Sequence, residues 1–312
     1  MPKPHYLQPQ HLRDLLLDPL HHPRGQGHLS AASGLVRVQR RMYVVADDEH
    51  HLGAFSVTGQ APVDLVRLFK RDLPVGMKER KKVKADLETL LQVPAMPGHP
   101  FGALLALGSG SDDRAKARRN RAVVVPLDAK GGVIERINVT DLSPLYKRLR
   151  KSFGDLNIEG AFVAGGEMCL LQRGNKGDSP NACIRYDWKT FMTWLLGKRD
   201  ERPPIVSITE MDMGEVDGVP LGLTDGVALS GGRWAFSAVA ENTNNSFDDG
   251  PCIASVVGVM SADGTVLQSH RLKGAPMVEG ISAVIKGSGI SLTMVTDEDN
   301  PTAPSRLLRV SW

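Results

Sequence analysis

At 312 residues, with 23% charged side chains and a formal net charge of +3, the chain is long enough to bury a large core and carries no strong whole-molecule field. That balance speaks against nucleic acid as a partner, and no apolar run approaches the roughly eighteen residues that cross a bilayer. Three cysteines (Cys169, Cys183, Cys252) at no metal-binding spacing, and a start without a basic then apolar leader, predict a cytoplasmic protein with reduced thiols.

In chain order, residues 1–31 hold a short amphipathic piece at 11–17 and then a loop rich in Pro, Gly and His. The first strand-like runs follow at 35–38, 42–46, 52–57 and 63–69. His21-His22 and His50-His51 lie in loops and read as solvent-exposed. Lys78, Arg80, Lys81, Lys82 and Lys84 crowd together without interleaved aromatic residues, which reads as a solvated loop rather than a nucleic-acid patch. Lys84 is set apart because it directly precedes Asp86 and Glu88. A second basic run at 114–121 reads as a surface excursion. Two inserted helices are expected. Ser143, as N-cap, with Pro144 opens one whose face is Leu145, Leu149 and Phe153. Asp187 caps the other, with Trp188, Phe191, Met192, Leu195 and Leu196 laid on the outside of the third unit.

Residues 158–175 read as a hairpin turning at Gly165-Gly166, and this unit recurs. An acidic or hydroxyl residue precedes Gly34, Gly160, Gly226 and Gly280, at intervals of 126, 66 and 54 residues. The first interval is about twice the others, so a fifth copy is expected where Glu88-Thr89 stands. Five units of about sixty residues predict an all-β, five-bladed β-propeller forming a single domain over 1–312, with a six-bladed ring as the alternative. The last unit shows only three strands, at 281–285, 290–296 and 306–311, so the N-terminal segment at 11–17 is expected to complete it and close the ring.

The first strand of each propeller blade lines the axis, which makes Ser33, Glu88, Glu159, Asp225 and Glu279 one facing row. A second row, where strand two returns to the same mouth, holds Asp47, Gly108, Arg173, Glu241 and Asp297, with Asn175 just beyond. Two ionised carboxylates about 6 Å apart at an effective dielectric of ~20 repel by about 3 kcal/mol, so the first row needs positive charge beside it. Hard oxygen donors without converging His or Cys suit Ca²⁺ or Mg²⁺, which makes Glu88, Glu159, Asp225 and Glu279 candidate metal ligands. The other solution is internal pairing, with Lys84, Arg173 and the backbone N–H groups of neighbouring blades holding the acids. Lys84, Arg173, Asn175, Glu241 and Asp297 are candidate substrate contacts.

The phrases NIEGAFVAGGEMCLLQRGN and KADLETL…ALLALGSGS resemble an uncharacterised family of bacterial β-propeller proteins and, more distantly, are similar to phytase-like, or esterase-like, propeller domains. That resemblance spans the chain from about Ser33 onward. It implies a calcium-supported phosphoesterase or similar hydrolase and carries over Glu159, Gly160 and Arg173, with Glu88 and Glu279 by repeat position. Two functions stay open. One is a divalent-cation-dependent hydrolase acting on a small anionic substrate at the channel mouth; the other is a non-catalytic propeller that binds a ligand or protein and uses the acidic ring for structure.

Overall fold

Alternating apolar residues between glycine-rich turns produce antiparallel sheets, and the computed structural model arranges five of them as the blades of a β-propeller. It describes residues 5–111, 118–134, 136–175, 177, 179–243, 250–298 and 300–312. Blade one runs Ala32–Val38, Arg41–Ala46, His51–Ser56 and Asp64–Arg67, from the axis outward. Blade two is Leu87–Val93, Ala103–Gly108, Arg121–Pro126 and Asn138–Asp141. Blade three is Ile158–Ala164, Glu167–Gln172, Asn181–Asp187 and Ile205–Met211. Blade four is Gly222–Ala228, Trp234–Glu241, Cys252–Met260 and Val266–Leu272. Blade five has only Val278–Lys286, Gly289–Thr296 and Arg306–Ser311 from the C-terminal part of the chain. Its fourth strand is Gln10–Asp14, antiparallel to Arg306–Ser311, so the ring closes with an N-terminal strand.

The closing strand is shorter than residues 11–17. The chain leaves blade five after Asp14, and Leu15 and Leu17 turn inward against blade one. An additional pairing has no counterpart in the sequence reading: Tyr6–Leu7 lies parallel to the outer strand of blade four, Tyr6 opposite Arg271 and Leu7 opposite Leu272. The core is divided into layers, each an apolar cluster between adjacent blades. Leu104 and Tyr43 meet between blades one and two, Phe162, Trp234 and Phe236 between three and four, and Met294 and Val257 between four and five.

Three α-helices interrupt the strands among the described residues, one more than expected: Met77–Lys81, Ser143–Leu149 and Trp188–Leu195. Asp187 caps the last by accepting the Thr190 N–H. Ser143 is the first helical residue rather than the cap, which is Leu142. Tyr146, Leu149 and Phe153 join Phe191 and Leu195 in the apolar layer between blades two and three, so both longer helices fill that wedge and the second is not simply laid on the outside of blade three.

Candidate functional site

All five inner strands break register at the same place. Residues on either side of Ser33, Glu88, Glu159, Thr224 and Glu279 pair normally with strand two, while these five have no partner residue. Each is the extra residue of a β-bulge, which re-aims its side chain out of the alternation of the strand. In three blades a glycine follows, because the inner strands pack backbone to backbone there. A Cβ on Gly34 would stand 2.7 Å from the Leu90 nitrogen, one on Gly160 would stand 2.8 Å from the Asp225 Cα, and one on Gly280 would stand 2.6 Å from the Leu35 nitrogen. The repeated acid-glycine phrase therefore encodes a bulge beside a tight seam.

Four of the bulged residues, Ser33, Glu88, Glu159 and Glu279, line one axial cavity of about 250 Å³. Lys84, Arg173, Asn175, Glu241 and Asp297 line it as well. Asp225 does not. In blade four the bulge falls on Thr224, one place earlier than alignment by glycine suggests, and a one-residue slip turns a strand side chain away. The Asp225 carboxylate instead accepts the N–H groups of Gly226 at 2.7 Å and Ile281 at 2.8 Å, which makes it a latch between blades four and five.

Two cations organise the wall. Lys84 bonds the carboxylates of Asp47 and Asp86, the latter at 2.7 Å. The other Asp86 oxygen takes the hydroxyls of Ser109 and Ser111 and lies 3.1 Å from Arg119. Arg173 bonds Glu241 at 2.5 Å, and its other terminal nitrogen lies 3.6 Å from Glu159 and 3.7 Å from Glu279. Glu159 takes a hydrogen bond from the Asn157 amide. Neither carboxylate oxygen of Glu279 has a hydrogen-bond partner, although the residue is only 4% exposed. Asn175 is held locally, donating to Asp155 at 2.7 Å and accepting from Gly177.

Burial and charge divide these acids. Burial pushes Glu159 up to about 7 against the pull of Arg173, and it drives Glu88 and Glu279 well above the carboxylate range with help from neighbouring acids. Asp48, also on the wall, rises to about 6 through burial and the adjacent Asp47 and Glu49. Asp86 moves the other way, to about 2, because Lys84, Arg119 and its hydrogen bonds overcome its burial. Asp47, Asp86 and Glu88 each offer an oxygen within 4.8 Å of the others, so oxygen donors dense enough for a hard cation exist here.

Asp86 and Arg119 were missed as site residues. Asp86 stands at φ 55°, in the left-handed region, just before the bulge, a placement no periodicity announces. Arg119 was hidden inside the basic run read as a surface excursion; residues 112–117 lie outside the described residues, but Arg119 itself is buried on Asp86. Arg80 is also buried, on Asp48, so the first basic run is not wholly solvated. The histidine pairs need the same correction. His22 gives its Nε2–H to Glu49 while its Nδ1 accepts the N–H groups of Arg24 and Gln26, and His22, His50 and His51 are buried; only His21 is exposed. Cys169 and Cys183 are free, buried thiols on neighbouring strands. No helix among the described residues is long and apolar enough to cross a membrane.

The chain belongs to the family of unknown function DUF6929, whose profile matches residues 28–311. No curated protein matches it. Among solved structures it is similar to the catalytic domain of a GH62 α-L-arabinofuranosidase from Coprinopsis cinerea, at TM-score 0.50 and 9% identity over 100% of this chain and 98% of that one. It is also similar to an engineered GH43 glycoside hydrolase, at TM-score 0.51 and 10% identity over 93% of this chain, which spans 51% of that protein. Regucalcin of Agrobacterium tumefaciens, a calcium-binding protein, aligns at TM-score 0.44 and 10% identity over 98% of this chain and 96% of that one. At such identities the likeness is one of fold.

Proposed function

We propose that this member of the DUF6929 family is a hydrolase acting on a small anionic substrate at the mouth of the axial cavity, with a divalent cation, calcium by donor class, among its carboxylates. The observation that carries this reading is the charge of the wall: eight carboxylates, from Asp47, Asp48, Asp86, Glu88, Glu159, Glu241, Glu279 and Asp297, stand against five cations, Arg80, Lys81, Lys84, Arg119 and Arg173. The surplus is neutralised either by protons on the raised carboxyls or by a metal ion that replaces them. A bound divalent ion would polarise the substrate oxygen and lower the pKa of water. Lys84 and Arg173, kept charged by the acids around them, would meet the negative group of the substrate. The resemblance to phytase-like propellers and a cytoplasmic setting with reduced Cys169 and Cys183 belong to the same proposal.

A second reading, a non-catalytic ligand-binding propeller, is favoured by the pairing of Lys84 and Arg173 with acids of the protein itself. One experiment separates the two. Melting is followed after EDTA treatment and with added Ca²⁺ or Mg²⁺, and the protein is then assayed on phosphoester, lactone and carboxyl ester substrates. A ligand at a hundred times its Kd stabilises the fold by about 2.7 kcal/mol. A cation-dependent rise with cation-dependent turnover supports the hydrolase. A rise without turnover leaves the binding reading, and no rise removes the cation.

A further inference from the structure

A negative group entering the axial cavity needs a cation that is not already surrounded by acids. Arg173 does not offer one. One of its terminal nitrogens bonds Glu241 at 2.5 Å, and the other stands 3.6 Å from Glu159 and 3.7 Å from Glu279, so three carboxylates enclose the guanidinium and would repel a further anion. Arg119 differs. Its Nη1 bonds the Ser111 hydroxyl at 2.5 Å and lies 3.1 Å from Asp86, whereas its Nε is buried without a hydrogen-bond partner in a residue only 4% exposed. Nη2 makes no hydrogen bond among the described residues either. We infer that the negative group of the substrate is a carboxylate, seated on this vacant edge of Arg119 with the Lys84 ammonium beside it. This rests on the anionic-substrate reading proposed above and names both the group recognised and the residues that seat it.

Nε and Nη2 share one edge of the planar guanidinium, and their N–H groups form the two-pronged fork that meets both oxygens of a carboxylate. A buried N–H left without an acceptor forfeits its hydration, and such orphaned donors are rare in folded proteins. An anion arriving at this edge supplies what the protein does not.

Asp86 fixes the two cations side by side. One of its oxygens takes Lys84 at 2.7 Å, and the other takes Ser109, Ser111 and Nη1 of Arg119. Lys84 also bonds Asp47, which leaves one donor of its ammonium over, and Asp47 and Asp86 keep it charged despite its burial. Lys84, Arg119, Ser111 and Glu88 all line the cavity. Asp47 and Asp86 balance the two cations, and burial together with neighbouring acids holds Glu88 well above the carboxylate range, in its neutral form. The cluster is therefore neutral as it stands. A carboxylate brings one negative charge to it and a phosphate monoester about 1.5 to 2, so the smaller charge suits a wall already rich in acids. The neutral Glu88 adds an O–H able to donate to the carboxylate.

The test is titration of the full chain with acetate, with its uncharged analogue acetamide and with inorganic phosphate at constant ionic strength, read by melting temperature and by the Nε–H resonances of the arginines. In the wild type, acetate is expected to raise the melting temperature saturably and to shift the Arg119 Nε–H, while acetamide does neither. Arg119→Lys keeps the charge but loses the fork, and is expected to weaken acetate by roughly tenfold or more. Arg118→Ala removes a charge one residue away, from an exposed side chain outside the cavity, and is expected to leave acetate affinity within about twofold of the wild type. The wild-type resonances decide the matter even if Arg119→Lys does not fold. The inference is overturned, and the anionic-substrate reading kept, if acetate moves the Arg173 resonance and not that of Arg119, or if Arg119→Lys binds acetate as the wild type does. Phosphate bound more tightly than acetate overturns the assignment to a carboxylate. If neither acetate nor phosphate binds, the inference falls together with the anionic-substrate reading.

Discussion

Asp225 of blade four accepts the backbone N–H of Ile281 in blade five at 2.8 Å, so a carboxylate expected on the axis is a peg between two blades. Burial drives its pKa well above the carboxylate range even though two amide hydrogen bonds pull it down. Asp225→Asn would place an amide donor against one of two backbone donors. We expect a loss of about 1–3 kcal/mol of stability in buffer, the cost of an unpaired buried group. Calorimetry of the variant should show unchanged Ca²⁺ affinity. A variant as stable as the wild type would contradict the latch.

The seam between blades three and four depends on a missing side chain. Gly160→Ala would put a methyl group 2.8 Å from the Asp225 Cα, which is backbone of the next blade and cannot rotate away. Overpacking of this kind costs about 1–3 kcal/mol. The variant should unfold at lower denaturant concentration with an unchanged slope. An unchanged midpoint would mean that the two inner strands are not in contact at this point.

Asp48 links stability to pH. Its carboxyl ionises near 6 in the fold against an ordinary 3.8, chiefly through burial, so folding favours its protonated form. The stability it contributes is complete below about pH 4 and is lost as pH rises through about 6. Asp48→Asn keeps the shape and removes the titration. The wild type should therefore lose stability relative to this variant between pH 4 and pH 7. A melting difference that stays constant across this range would contradict the assignment.

Leu15, fully buried where the N-terminal segment leaves blade five for blade one, joins Leu17, Leu29, Leu35, Val295 and Leu307 in one apolar layer. Leu15→Ala should cost about 2–5 kcal/mol, as large-to-small changes in cores do. Hydrogen exchange should quicken first at Arg306–Ser311, whose outer edge pairs with Gln10–Asp14. If exchange instead rises evenly over all five blades, the closing segment is not a separate unit of stability.

Much of the ring was legible because its repeats are local. Alternation and the Gly165-Gly166 turn depend on neighbours within a few residues, the recurrence of Gly34, Gly160, Gly226 and Gly280 repeats such a local phrase down the chain, and the missing strand of blade five could be counted. The site was legible only as far as register was. Glu88, Glu159 and Glu279 share a bulge, whereas Asp225 was aligned by the glycine after it when the bulge in its blade falls on Thr224. What remained hidden is pairing between distant segments. Nothing near His22 announces Glu49, nothing near Arg119 announces Asp86, and a two-residue parallel bridge at Tyr6–Leu7 carries no periodicity.

The closure of blade five also sets an order of events in biosynthesis. Gln10–Asp14 emerges from the ribosome well before its partner Arg306–Ser311, with all four other blades made between them. Until Arg306–Ser311 is made this strand has no sheet to join, and the four earlier blades stand as an open arc with bare flanks. Its sequence suits that wait: Gln10, His11, Arg13 and Asp14 are polar or charged around a single leucine, the composition that keeps a solitary strand in solution and discourages pairing with a neighbouring nascent chain.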